Sequence, residues 1–131
     1  MDELPISSGD DIVRVRQRVR SAAASGGLSL VDQTKLVTAA SELARNVLTH
    51  GGGGSAMIEA VVSPTGRKGV RVSFRDEGPG IADVSLALTD GWTTGDGLGL
   101  GLSGARRLVD EFDLSSAPGS GTLVVVAKWS R

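Results

Sequence analysis

The chain reads as an α+β protein in which a mixed or antiparallel sheet is covered by helices on one face. Three observations predict this. Two long segments with helical apolar spacing run up to Thr49. Two pairs of apolar, β-branched runs follow, each pair joined by a turn rich in Gly, Pro and Ser, with a further amphipathic helix between the pairs. At 131 residues, the expectation is one compact domain over 1–131, because a chain of this length buries one core and has no material for two.

In the first helix Ile12, Val15, Val19 and Ala22 or Ala23 recur at helical spacing, Asp10 or Asp11 is placed to cap it, and Gly26-Gly27 ends it. Arg14, Arg16, Arg18 and Arg20 fall on its other faces as a solvated surface. The second helix spans 32–49, with Leu36, Val37, Ala40, Leu43, Ala44, Val47 and Leu48 as one apolar stripe, and Gly51 to Gly54 stop it. Residues 56–62 and 70–74 have strand composition and form a hairpin across the connector 63–69. Residues 83–90 read as a short helix and 102–112 as an amphipathic one, with Leu102, Ala105, Leu108, Val109 and Phe112 on its core face. A second hairpin closes the chain: 114–117, the turn Pro118-Gly119-Ser120-Gly121, and the apolar run 122–129.

Composition excludes several classes of function. A formal net charge of -1 supplies no global field to draw the chain onto nucleic acid or an anionic membrane. Only 3% of residues are aromatic, so platforms for base stacking are scarce. Cysteine is absent and His50 is the single histidine, which removes disulfides, thiol nucleophiles and ordinary zinc or copper clusters, and leaves hard, oxygen-bound cations such as magnesium. The amino terminus is acidic and no stretch approaches the ~18 apolar residues of a membrane span; the chain reads as cytoplasmic.

The 19 glycines cluster at 51–54 and 95–104. The run Gly95-Asp96-Gly97-Leu98-Gly99-Leu100-Gly101-Leu102 ends where a helix begins, and offers free backbone N–H groups to a polyphosphate. A flexible surface loop is the plainer reading. Gly99, Gly101 and Gly104 also fit G-x-G-x-x-G, but no buried strand precedes them, so a dinucleotide fold is rejected, and a Walker A pattern is absent. On the second helix Glu42 and Asn46, four residues apart, share a side away from the apolar stripe: a carboxylate that can take a proton and an amide oxygen suited to magnesium. A solvated pair has the same spacing. Asp76, at a strand end before Glu77-Gly78-Pro79-Gly80, can accept from an exocyclic amino group while Gly78 and Gly80 admit a flat ring; an ordinary turn has the same composition. His50 lies one turn beyond Asn46, and the Thr122 hydroxyl can reach a ligand or satisfy the turn.

Taken in order, Glu42-x-x-x-Asn46, Asp76-x-Gly78-x-Gly80, Gly97-x-Gly99-x-Gly101 and Gly121-Thr122 resemble the N, G1, G2 and G3 boxes of the GHKL ATPase and kinase superfamily over residues 30–129. The resemblance implies a Bergerat-type α/β sandwich that binds ATP and magnesium. By it Glu42 is the candidate general base, Asn46 the magnesium ligand, Asp76 the acceptor for the adenine amino group, and Gly78 and Gly80 the border of the base. Gly97, Leu98, Gly99, Leu100 and Gly101 form the ATP lid, and Thr122 completes the adenine pocket.

Within the superfamily the chain is similar to the anti-sigma and stress-switch serine/threonine kinases. The stretch 41–46, the lid 91–108, Asp110-Glu111-Phe112 and Lys128-Trp129 resemble the RsbT type of stressosome switch kinase, with Ser103 where that type usually has proline. The resemblance implies transfer of the ATP γ-phosphoryl group to a STAS-domain antagonist protein in bacterial partner switching, and activation of a PP2C-type phosphatase on release. Two other functions share the same pocket: an anti-sigma-factor kinase that also binds a sigma factor, and a non-catalytic module whose lid responds to ATP.

Overall fold

The computed structural model describes residues 2–80 and 101–131. The expected helix over 83–90 and the lid residues Gly97, Leu98, Gly99 and Leu100 lie outside them. Helix α1 spans Gly9–Ser25 and α2 spans Leu30–Thr49. Val15, Val19 and Ala23, one turn apart, are fully buried along α1, and Leu36, Val37, Ala40, Leu43, Ala44 and Val47 are buried along α2, as their spacing requires.

The caps differ from those expected. Asp11 does not cap α1 from outside. It sits in the first turn and reaches back, its Oδ2 accepting from the Ser7 N–H at 2.8 Å and the Ser7 hydroxyl at 3.0 Å, while Ser8 is the N-cap residue. At the other end the Leu28 N–H donates to Ala23 O and the Gly27 N–H to Ala24 O, with Gly27 at φ +80. This paired closure brings buried Leu28 onto Ala23. Helix α2 begins two residues before the expected Asp32, because Ser29 Oγ accepts from the Asp32 N–H at 3.1 Å.

The sheet has the order β1-β2-β3-β5-β4 with every pairing antiparallel, the strands being β1 Asp2–Ile6, β2 Gly54–Val62, β3 Lys68–Asp76, β4 Glu111–Ser116 and β5 Thr122–Trp129. Strand alternation sends Ala56, Ile58, Val70, Val72, Phe74, Val124 and Val126 to the buried face against α1 and α2. The expected α+β sandwich is therefore the observed architecture.

Strand β1 had no counterpart in the expected elements. In Asp2-Glu3-Leu4-Pro5-Ile6 only Leu4 and Ile6 alternate, and Pro5 reads as a breaker, yet an edge strand tolerates proline and fully buried Ile6 anchors it. The helix expected over 102–112 is also corrected. Helix α3 covers only Gly101–Arg107, and Phe112 belongs to β4. Phe112 satisfies both periods, four residues after Leu108 and two before Leu114. Pairing prevails because the Asp110 N–H donates to Ala127 O at 3.0 Å and its carboxylate accepts from the Trp129 N–H at 2.8 Å, which draws the chain onto β5.

At the α2 N-terminal end of the sheet a cation is buried. The Lys128 side chain, 4% exposed, lies 3.7 Å from Asp32 Oδ1 and 3.5 Å from Asp110 Oδ1, and Arg131 bridges the same two carboxylates. The ion network ties α2, the start of β4 and the chain end together.

Candidate functional site

At the opposite end of the sheet the register lines up one row across four strands: Gly54 of β2 faces Asp76 of β3, Asp76 faces Thr122 of β5, and Thr122 faces Ser116 of β4. The row is in phase with buried Phe74 and Val124, so its side chains project to the helix-covered face. Asp76 Oδ1 accepts from the Gly78 N–H at 2.9 Å, which orients the carboxylate at the start of the loop 77–80. The Thr122 and Ser116 hydroxyl oxygens are 2.9 Å apart, and the Ser116 hydroxyl donates to Gly121 O at 2.9 Å.

Helix α2 ends against this row. The His50 N–H donates to Asn46 O at 2.9 Å, and the Gly51 N–H reaches both Asn46 O and Val47 O, so the turn of helix bearing Asn46 runs directly into Gly51. A β-carbon on Gly51 would stand 2.6 Å from Asp76 Oδ2, and one on Gly78 would stand 2.7 Å from the Gly51 Cα. Only glycine at both positions lets the helix end, the Asp76 carboxylate and the 77–80 loop approach so closely. The third wall is the β4–β5 turn: Gly121, at φ +74, lies against the Asp76 carbonyl, and the Gly119 N–H donates to Pro79 O at 2.8 Å, bringing the turn beside Gly80.

Asn46, Asp76, Gly78, Gly80 and Thr122, chosen as site residues from sequence, are thus brought to one end of the molecule. Glu42 stands one helical turn before Asn46, about 6 Å along α2. Its side chain is 13% exposed, and Oε1 accepts from Arg45 Nη1 at 2.6 Å. Gly101, at φ +70, opens α3, which packs on α2. His50 is the exposed C-cap residue of α2. An open groove of about 560 Å³ at this end is lined by Asp76, Ser116, Gly121 and Thr122 together with Arg75 and Leu123 of the neighbouring phase, so it wraps around the sheet end.

Sequence reasoning missed Ser116, Gly51 and Arg45. Gly51 left a signal, since four consecutive glycines are more than a helix stop needs. Ser116 left none, because only the β4–β5 register sets it beside Thr122.

The row presents the Asp76 carboxylate between glycine-walled loops, with the turn of α2 that bears Asn46 running into it through Gly51. Among the described residues no three His, Cys, Asp or Glu side chains gather to hold a metal ion. A single neutral amide such as that of Asn46 would suit a cation carried in on a phosphate ligand and held by one or two protein groups, the usual mode for magnesium. Residues 12–130 match the family described as the histidine kinase-, DNA gyrase B-, and HSP90-like ATPase. The chain belongs to this family.

As a member of this GHKL family it is 46% identical over 121 residues to the serine/threonine-protein kinase RsbT of Bacillus subtilis (strain 168), covering 92% of this chain and 90% of that protein. It is 32% identical over 120 residues to the anti-sigma F factor of Thermoanaerobacter sp. (strain X514), covering 87% and 82%. The solved RsbU and RsbW domains of Rv1364c from Mycobacterium tuberculosis superpose with a TM-score of 0.64 at 23% identity; all of this chain is covered and a third of that one, 33%, and the likeness is one of fold. The resemblance read from the four boxes is borne out, and so is the expected enzyme class, an ATP-dependent serine/threonine kinase. No helix among the described residues is long and apolar enough to cross a membrane.

Proposed function

We propose that this chain is a cytoplasmic partner-switching kinase that transfers the γ-phosphoryl group of ATP to a serine or threonine of a STAS-domain protein. The observation that carries the reading is the row Asp76–Thr122 closed by the Asn46 turn through Gly51. Similarity over nearly the whole of a serine/threonine-protein kinase supports it.

In this reading Asp76 accepts from the adenine amino group, Gly78 and Gly80 border the ring, and Thr122 completes the pocket. Asn46 holds magnesium, which when bound neutralises phosphate charge. Gly97, Leu98, Gly99, Leu100 and Gly101 supply backbone N–H groups to the phosphates. Glu42 takes the proton of the attacking hydroxyl as its oxygen bonds to the γ-phosphorus, the bond from that phosphorus to the β-phosphate oxygen breaks, and ADP leaves. Positioning and charge neutralisation carry most of the catalysis. About two negative charges placed in a packed interface weaken the complex, and the released kinase engages a PP2C-type phosphatase.

Incubating the purified chain with magnesium-ATP and STAS-domain proteins of the same organism, and following partner mass, tests the proposal. The expected result is a phosphate-sized gain that Glu42→Ala abolishes. Transfer undiminished by Glu42→Ala overturns the assignment of the base, and ATP binding without transfer to any partner favours a non-catalytic module. The similarity to an anti-sigma F factor favours a second reading, in which the chain also binds a sigma factor; co-purification of a stoichiometric sigma factor distinguishes it.

A further inference from the structure

We infer that Arg45 selects a protein substrate that carries an acidic side chain beside its phosphoacceptor hydroxyl. The inference rests on the kinase reading given under Proposed function, with Glu42 as base, and adds a specificity-determining residue to it. Arg45 Nη1 donates to Glu42 Oε1 at 2.6 Å, with the Arg45 side chain 51% exposed and that of Glu42 13%. Arg45 lies with Thr38 and Thr49 on the exposed face of α2, while Leu43, Ala44 and Val47 face the core. An exposed pair three residues apart adds little to helix stability, so the fold does not depend on it.

Geometry puts the guanidinium against any protein that Glu42 serves. A base takes a proton from an oxygen about 3 Å away. Arg45 Nη1 therefore stands within about 8 Å of the attacking hydroxyl, whichever carboxylate oxygen receives the proton. In the kinase reading the nucleotide and its magnesium lie on the inner side of α2, toward Asn46 and Asp76. The protein arrives from solvent, on the side of Arg45, and its docking covers a guanidinium that is half exposed in the free chain.

Before transfer, the covered charge is balanced by Glu42, the one acidic side chain paired with Arg45 among the described residues. When Glu42 takes the hydroxyl proton its carboxyl becomes neutral and that balance is lost, whatever else the carboxyl touches. An unpaired charge under an interface from which water is excluded is costly. A carboxylate on the partner removes the cost. Arg45 can hold it, because a guanidinium has five N–H donors in a planar fork and the contact with Glu42 uses one.

The test is a double-mutant cycle in the transfer assay, using the STAS-domain protein that gains mass and changing the Asp and Glu residues around its modified residue one at a time to Asn and Gln. With wild-type kinase, one such change is expected to lower kcat/KM about tenfold. With Arg45→Gln, itself lowered to a similar degree, the same change is expected to cost less than about twofold. Arg45→Lys, which keeps the charge without the fork, is expected to fall between the two. Raised salt is expected to lower kcat/KM more steeply for wild type than for Arg45→Gln. A partner with no acidic residue within reach, or losses that multiply independently for every acidic residue, overturns the inference while the kinase stands. So does a loss of magnesium-ATP affinity in Arg45→Gln, which places Arg45 at the nucleotide instead. A wild type that binds ATP and modifies no partner overturns the kinase reading and this inference with it.

Discussion

Gly51 exists to make room for Asp76: a β-carbon on it would come within 2.6 Å of Asp76 Oδ2. The contact joins the end of α2 to the end of β3 and sets how far the Asn46 turn stands from the Asp76 carboxylate. Gly51→Ala is therefore expected to push Asp76 off its Gly78 hydrogen bond. Overpacking of this kind costs about 1–3 kcal/mol, and the displaced carboxylate is expected to weaken ATP binding at least tenfold by titration. Circular dichroism should show an intact fold, since the clash is local to the site.

The buried Lys128 predicts a non-additive series. Lys128→Met leaves Asp32 and Asp110 with only the exposed Arg131 to offset their charges, and breaking a buried ion pair from one side costs about 3–5 kcal/mol. Adding Asp32→Asn and Asp110→Asn removes the uncompensated charge and is expected to recover most of that loss in urea unfolding. Equal stability of the single and triple variants would contradict the network seen around Lys128.

Asp11 makes the stability of the chain sensitive to acid. Hydrogen bonds from the Ser7 backbone and hydroxyl, helped by Arg14, hold its carboxyl below the ordinary 3.8 against the opposing effect of burial. A depressed folded value means that the carboxylate stabilises the fold fully above the unfolded value and loses that effect as the pH falls below 3.8 toward the folded one. Asp11→Asn is thus expected to be less stable than wild type at neutral pH, with the gap closing below about pH 3.8 in pH-dependent thermal melts. Asp2, drawn down by Arg18, adds a contribution of the same sign.

Ser29→Ala tests the start of α2. Losing the acceptor for the Asp32 N–H is expected to cost about 1 kcal/mol in chemical denaturation. Nucleotide affinity should not change, because Ser29 sits at the other end of the helix from Asn46.

Much of this arrangement is legible from the chain alone. Local periodicity carries α1 and α2, because each turn repeats the same burial and the signal accumulates over 17 and 20 residues. The two hairpins announce themselves through turn chemistry at 63–69 and 118–121. Phe112 reads as helical because its local pattern serves two periods, and β1 leaves no clear signal because five residues at a sheet edge carry too little pattern.

The site divides along the same line. The boxes around Asn46, Asp76 and Thr122 are readable through their order along the chain, since each short run alone also suits a solvated pair or an ordinary turn. Their meeting depends on pairings between residues far apart in the chain, Asp76 with Thr122 and Thr122 with Ser116, and on the approach of Gly51 to Asp76. The sequence alone determined the elements and the kinds of groups available, because helix and strand preferences act over a few residues. Tertiary structure alone decided which strand lies beside which, and hence that Ser116 touches Thr122, because register is set by the burial of whole faces.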